Sequence, residues 1–225
     1  MNFKLLSIIS IALISYIFTT SITYFDKREN IVVLYTKSDV VVPDLPDDCC
    51  EYIALENFKN TNRKAKTVIL AGHAIPPVYA GHSIKEVSEA IASFDPELIV
   101  INSCYGSTDI LLNGLVKTGL KSMVVAPPFP IYLPGFTYDE NFLKPELSVE
   151  ERAKSVKTEP YYPILKWNIN SKELEDARKK VNSMSKKELK NNLRRADPPL
   201  IRVKMPTKLE PNAELLVVVS PERLK

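Results

Sequence analysis

The sequence predicts an α/β fold in which a mostly parallel sheet lies between flanking helices, giving three layers. The main observation is an alternation of short apolar runs and amphipathic stretches between residues 67 and 126. The apolar runs are hydrophobic throughout, as is typical of parallel strands that are buried on both faces. The chain has 45% hydrophobic and 25% charged residues, which is the composition of a globular protein. This alternation indicates strands joined by right-handed helical crossovers.

The elements can be assigned in chain order. The predicted strands are residues 31–36, 50–55, 67–71, 98–102 and 122–126. The predicted helices are residues 84–94 and a helix that is capped by Ser107 or Thr108 and ends at Lys117. Ser83 and Glu86 have the spacing of a capping box, and Gly119 follows the second helix as a C-terminal stop.

The composition of the sequence changes after residue 126. Prolines and aromatic residues fill 127–136, which predicts a stiff apolar loop. Ser148, Asn170 and Ser185 are each followed three residues later by Glu, which predicts three helix starts. Residues 199–204 and 213–219 are predicted terminal strands. Lys and Arg are frequent in 172–195, a pattern typical of a solvated helical face, with contact to anionic lipid headgroups as the alternative.

The first residues predict a membrane segment. No charged residue interrupts the chain from Leu5 to Phe25, and a helix of this length can span a bilayer. An uncleaved signal-anchor is favoured over a cleaved signal peptide, because no clear A-x-A site is present. The predicted organisation is a signal-anchor or signal peptide at 1–28, an α/β core at 29–145, and a helical extension at 146–225 with terminal strands. We therefore expect the rest of the chain outside the cytoplasm, anchored by residues 5–25, or secreted if the signal is cleaved.

Composition also bears on partners and redox state. The net charge of +3 does not indicate nucleic-acid binding. Two histidines and three cysteines lack the paired short spacing of zinc ligands, so neither a metal nor another cofactor is expected. The adjacent Cys49 and Cys50 either form a vicinal disulfide or are two small buried residues, and the second interpretation is favoured. The oligomeric state stays open.

His73 and Cys104 are the candidate catalytic residues. Each closely follows a predicted strand, 67–71 and 98–102 respectively. If these strands are parallel in one sheet, both residues emerge at its carboxyl edge, where open α/β sheets bind ligands. A thiol is activated as a nucleophile when an imidazole lies beside it and acts as a base. His82 competes with His73, but it precedes a helix cap and does not follow a strand directly.

The order of a histidine and then a cysteine, each at the end of a strand, resembles the caspase-like clan of cysteine peptidases. This clan includes caspases, gingipains, CHAT domains and the autoprocessing domains of RTX toxins, and the resemblance covers about residues 67–126. It implies His73 as acid or base, Cys104 as nucleophile, and an oxyanion bound by the backbone N–H groups of the cysteine and of the residue after the histidine. That residue is Ala74 here, whereas the clan has glycine.

The remaining candidate residues surround this pair. Gly72 precedes His73, and the loop after Cys104 contains Tyr105 and Gly106, with glycine allowing close approach of a substrate. The resemblance also implies that this loop and 127–136 form the specificity pocket. Asp109 is then a candidate for selecting a basic side chain, although an aspartate in the first turn of a helix is the more common explanation.

We therefore expect an anchored, exported cysteine peptidase that acts on a peptide or protein substrate. The alternative is a catalytically inactive scaffold or partner-binding protein of the cell envelope with the same fold, which the absence of glycine after His73 favours.

Overall fold

The computed structural model describes residues 31–36, 43, 45–46, 48–59, 63–75, 78–79, 81–128, 136–158, 163–194 and 198–225. The predicted membrane segment and the rest of the 1–28 unit lie outside these residues, as does most of the predicted 127–136 loop. Across the described part of the chain, no helix has the length and apolar character needed to cross a bilayer.

The described residues form fourteen strands and five α-helices. The strands are β1 (Ile31–Tyr35), β2 (Glu51–Ala54), β3 (Thr67–Ala71), β4 (Ala74–Ile75), β5 (Val78–Tyr79), β6 (His82–Ser83), β7 (Leu98–Asn102), β8 (Met123–Ala126), β9 (Phe136–Tyr138), β10 (Val156–Thr158), β11 (Leu165–Asn168), β12 (Leu193–Arg194), β13 (Leu200–Lys204) and β14 (Glu214–Val218). The helices are α1 (Ile84–Ala92), α2 (Asp109–Lys117), α3 (Val149–Lys154), α4 (Ser171–Asn182) and α5 (Lys186–Asn192). Short 3-10 helices lie at Leu55–Asn57, Glu140–Leu143 and Pro221–Leu224.

A six-stranded sheet forms the centre, in the order β11-β8-β7-β3-β1-β2. Neighbours from β8 to β2 are parallel, and only β11 is antiparallel. β3, α1, β7, α2 and β8 follow one another along the chain and through the sheet, so helical crossovers connect adjacent parallel strands. The predicted α/β class with a mostly parallel sheet is confirmed.

The sheet is buried on both faces, which explains the continuous apolar runs of β3 and β7. On one face, residues such as Leu70 and Ile101 pack with α1, α2, α4 and the C-terminal strands. On the other, residues such as Ile69 and Val100 pack with α3 and the β9–β10 pair. These two cores give the predicted three layers.

Local signals set the helix boundaries. Ser83, Ser148 and Ser185 each accept a hydrogen bond from the backbone N–H of the glutamate three residues later, and that glutamate bonds back to the cap residue. Asn170 caps α4 and Thr108 precedes α2. The predicted helix starts are therefore confirmed, and each capping box stabilises its helix by about 1 kcal/mol.

β11 lies within the predicted 146–225 extension, yet it pairs with β8 as the sixth strand of the central sheet. Leu165 and Trp167 are buried, whereas Lys166 and Asn168 are more exposed. The Trp167 indole N–H donates to the carboxylate of Glu173 on α4. This strand and its tryptophan therefore attach the C-terminal part of the chain to the sheet.

The predicted terminal strands are β13 and β14, and the unpredicted β12 joins them in a small sheet in the order β12-β13-β14. The predicted basic face is also present, because the lysines of α4 and α5 are exposed while Leu174, Ala177, Val181 and Leu189 are buried. Exposed lysines are common to a solvated helical face and to a face that contacts anionic lipid headgroups, so the choice between the two stays a prediction.

Cys49 and Cys50 form a vicinal disulfide. The favoured prediction of two small buried thiols was therefore wrong about their chemical state, although Cys50 is buried in the core. The two residues lie in the bend that leads into β2, where the backbone brings the adjacent sulfurs together.

Candidate active site

His73 and Cys104 follow neighbouring strands in the same register. Ala71 ends β3 and pairs with Asn102, which ends β7. His73 and Cys104 each lie two residues beyond this pair, and the two strands are parallel. The structure therefore brings both residues to the carboxyl edge of the sheet. The His73 side chain is exposed and the Cys104 thiol is half-buried.

This edge includes the point where the strand order reverses. From β1 the chain moves outward to β2, and it then returns to the other side of β1 to form β3. In open α/β sheets, the crevice at the carboxyl ends of strands flanking such a reversal is the usual ligand site. His73 follows β3, and thus lies beside this crevice, with Cys104 at the next strand along.

The loop after β7 turns sharply at Cys104. Tyr105 has a φ of +55°, a left-handed conformation that costs a residue with a side chain about 1 kcal/mol or more. The backbone N–H and the hydroxyl of Thr108 both donate to the Tyr105 carbonyl, which closes the turn. The strained residue is thus Tyr105, the neighbour of Cys104, and the turn lies between a strand and a helix.

Two partners from other elements fix this loop. The Ser107 N–H donates to the Pro127 carbonyl at 2.9 Å, just after β8. The Leu216 N–H of β14 donates to the Ser107 carbonyl at 3.0 Å, and Thr108 pairs with Leu216 as an isolated parallel bridge. The C-terminal sheet therefore helps to define the conformation of the Cys104 loop.

Seven side-chain N or O atoms of the described residues are buried without a hydrogen-bond partner, and four of them lie at this edge. The four are Thr36 Oγ1 after β1, Asn102 Nδ2 at the end of β7, and the hydroxyls of Ser103 and Ser107, whereas those of Ser88, Tyr138 and Arg202 lie elsewhere. Each such atom costs about 1–3 kcal/mol if nothing satisfies it. Buried polar groups are normally bonded, so four such atoms at one edge make it a candidate ligand site.

A small three-stranded sheet, β4-β5-β6, follows His73. Tyr79 of β5 is buried against the main core, and its hydroxyl donates to the Leu70 carbonyl of β3 at 3.3 Å. This contact holds the small sheet against the strand that precedes His73. His82 pairs with Tyr79 at the far end of the same sheet and is half-buried.

The two predicted glycines have different roles. Gly72 is buried and has a φ of +149°, which a residue with a side chain rarely adopts. A Cβ on Gly106 would lie 2.7 Å from Ile101 and 2.8 Å from Pro127. The space beside Gly106 is thus filled by the protein's own side chains, and this glycine lets the loop pack closely on β7.

Asp109 is buried at the start of α2 and makes tertiary contacts. Its Oδ1 accepts the Val218 N–H of β14 at 3.1 Å, and its Oδ2 pairs with Arg178 Nε of α4 at 3.1 Å. Burial raises the pKa of Asp109, opposed by the Val218 N–H, by Arg178 and by the N–H groups of its own helix turn. These contacts favour the structural explanation of an aspartate in the first turn of a helix.

Several residues of this site carry no sequence signal of their own. Thr36 ends a predicted strand and Ser107 is one of two candidates for a helix cap, and neither pattern indicates a ligand site. Asn102 and Ser103 do carry a signal, because two polar residues end an otherwise apolar strand. Among the described residues, no group of three or more His, Cys, Asp or Glu side chains is arranged to hold a metal ion.

Comparison with models of known protein families, with curated proteins and with solved structures found no match to this chain.

Proposed function

We propose that the protein is a cysteine peptidase in which Cys104 is the nucleophile and His73 the acid–base group. The observation that carries this proposal is the shared register of the two residues, each two positions beyond the paired ends of adjacent parallel strands. The cluster of unsatisfied buried polar atoms at the same edge supports a ligand site there.

The topology is compatible with the caspase-like fold to which the sequence bears a resemblance. The central sheet has five parallel strands and an antiparallel strand at one edge, and helical connections follow β3 and β7. Because fold alone does not define activity, the proposal depends on the residues at the carboxyl edge.

The proposed reaction proceeds through a thioester. The Cys104 thiol gives up its proton to the His73 imidazole, and the sulfur attacks the carbonyl carbon of the scissile peptide bond. The C–N bond then breaks, with His73 giving a proton to the leaving amine. A water molecule next attacks the thioester, which releases the carboxylic acid product and restores the thiol. Each of these steps needs the imidazole and the sulfur on the same side of the substrate.

Ala74 supplies the same backbone N–H donor as the glycine that the resemblance implies at this position. Among the described residues, only Asp95 and Tyr105 combine a side chain with positive φ, so Ala74 has a φ that alanine adopts freely. The N–H of Ala74 is therefore compatible with a role in binding the oxyanion.

A non-enzymatic scaffold is the second candidate, and one observation favours it. The N–H groups of the helix turn at Asp109, including that of Ile110, lower the pKa of its carboxyl against the effect of burial. These N–H groups would otherwise help to stabilise a thiolate at Cys104. In this second case the same sheet edge would bind a partner without cleaving it.

Thiol labelling separates the two candidates. We expect an electrophilic peptide probe to label Cys104 in the full chain, and His73→Ala to slow the labelling at least tenfold. His82→Ala is the matched control and should label at the native rate. Cleavage of a peptide library that is lost in Cys104→Ser would establish the activity. Equal labelling of native protein and His73→Ala, with no cleavage of any peptide, would support the scaffold.

We also propose that residues 5–25 anchor the protein in a membrane, with the remainder on the extracytoplasmic side. The support is the uninterrupted apolar sequence of this segment. We expect that a reporter enzyme that is active only outside the cytoplasm is active when it is fused after residue 30. A cytoplasmic signal from this fusion would contradict the proposed orientation.

A further inference from the structure

Arg152 of α3 is a buried cation that lacks an anionic partner among the described residues. Its side chain is 2% exposed. Its Nε donates to the Phe142 carbonyl at 3.3 Å, and one Nη donates to the hydroxyl of Thr67. Both acceptors are neutral, and the guanidinium has five N–H donors. In the described part of the chain, no carboxylate lies within ion-pair distance of Arg152.

A buried charge is costly unless an opposite charge or a full set of hydrogen bonds compensates it. Burial lowers the pKa of Arg152, and the exposed carboxylate of Glu97 opposes this effect only through space. An anion close to the guanidinium would therefore be stabilised at this position.

Arg152 lines a cavity of about 200 Å³ at the amino edge of the sheet. The row of Ile31 and Thr67 marks this edge, because these residues begin β1 and β3 and pair with each other. The cavity is below the roughly 300–1,000 Å³ of pockets for drug-sized ligands, but it exceeds the roughly 150 Å³ that holds benzene in an apolar cavity. It is therefore suited to a small molecule.

The walls of the cavity have two charges of opposite sign. Asp48 lines it together with Arg152, yet the two side chains do not form an ion pair with each other. The other described lining residues are Ile31, Pro46, Cys49, Leu143 and Pro145, which are mainly apolar. A carboxylate beside Arg152 and an ammonium group beside Asp48 would complement both charges, and an apolar side chain would suit the remaining walls.

We propose that this cavity binds a small apolar α-amino acid, with its carboxylate on Arg152 and its ammonium group toward Asp48. The site lies at the edge of the sheet opposite to Cys104. The proposed amino-acid site is therefore independent of the proposed peptidase activity, and an experiment can contradict one proposal without affecting the other.

Binding can be measured on the full chain in detergent micelles, with L-alanine and L-valine as probes. We expect a saturable rise in the thermal unfolding midpoint and a shift of the Arg152 Nε–H resonance in ¹⁵N-labelled protein. Acetate should bind at least fivefold more weakly than alanine, because it lacks the ammonium group. Methylammonium should produce no shift of the Arg152 resonance.

Variants test the two charges separately. Asp48→Asn alters an exposed side chain, so the fold should be retained, and it should weaken alanine binding at least fivefold without changing acetate binding. Arg152→Met should abolish binding of both. If Arg152→Met does not fold, the proposal is still tested by the shift of the Arg152 resonance in the native protein and by the affinity of Asp48→Asn for alanine. Equal affinity for alanine and acetate, or no response of the Arg152 resonance to alanine, would overturn the proposal.

Discussion

Asp109 provides a test of how the C-terminal sheet is attached to the Cys104 loop. In Asp109→Ala, the Val218 N–H loses its acceptor in a partly buried position, which costs about 1–3 kcal/mol. Loss of the ion pair with the half-exposed Arg178 adds at most about 1 kcal/mol. We therefore expect Asp109→Ala to lower the free energy of unfolding by about 1–4 kcal/mol.

Asp109→Asn keeps an oxygen acceptor for Val218 and removes only the charge, so it should cost about 1 kcal/mol or less at neutral pH. Its effect should depend on pH. Burial raises the pKa of Asp109 in the folded protein, so the folded state holds the proton more tightly than the unfolded chain. The resulting stabilisation is fully present below the unfolded pKa of about 3.9 and is lost as the pH rises through the folded pKa.

Urea unfolding of the native protein and of Asp109→Asn between about pH 3 and pH 8 measures this effect. The stability of the native protein relative to Asp109→Asn should fall as the pH rises above about 4. Asp176→Asn, on the exposed face of α4, is the control and should stay within about 0.5 kcal/mol of the native protein. A native protein that gains stability over Asp109→Asn as the pH rises would refute the reasoning, because the Arg178 pair would then outweigh burial.

Three other substitutions test the surroundings of the site. Gly106→Ala places a Cβ under 3 Å from Ile101 and Pro127, so we expect a loss of about 1–3 kcal/mol in urea unfolding; an unchanged midpoint would show that the loop can shift freely. Tyr79→Phe removes the hydrogen bond to the Leu70 carbonyl and should cost about 1 kcal/mol, with faster amide exchange in β4–β6 than in β13–β14 as the distinguishing readout. Ser148→Ala removes the α3 cap and should cost about 1 kcal/mol, and Ser148→Asp should restore most of it.

Much of the central sheet can be predicted from sequence because its strands are buried on both faces. β3 has the predicted bounds of 67–71 and β7 those of 98–102, and all five residues of each strand are buried. The helix starts can also be predicted from sequence, because a serine cap and the glutamate three residues later interact within one turn.

Other elements depend on tertiary structure. β11 alternates between buried and more exposed residues over only four positions. With the polar Lys166 and Asn168 among them, this pattern is too short to predict a strand. β4, β5 and β6 have two residues each, which is too short for any periodic pattern. Their existence depends on packing such as that of Tyr79 on the main core.

The candidate site also has a part that the sequence predicts and a part that depends on tertiary structure. The positions of His73 and Cys104 follow from the ends of predictable strands, because the carboxyl ends of parallel strands share an edge. The contact of Asp109 with Val218 joins residues 109 positions apart, and no local pattern indicates it. The vicinal disulfide likewise depends on the backbone geometry before β2 and is not determined by the adjacency of two cysteines alone.

The single tryptophan of the chain gives this protein an intrinsic optical reporter. Trp167 is 2% exposed on the outermost antiparallel strand, and its indole touches the first turn of the helix that follows. Detachment of that helix would expose the indole to water and shift its emission to longer wavelength, without any attached dye. Comparing this emission with far-ultraviolet circular dichroism would therefore show whether the carboxyl-terminal part separates before the remainder of the protein melts.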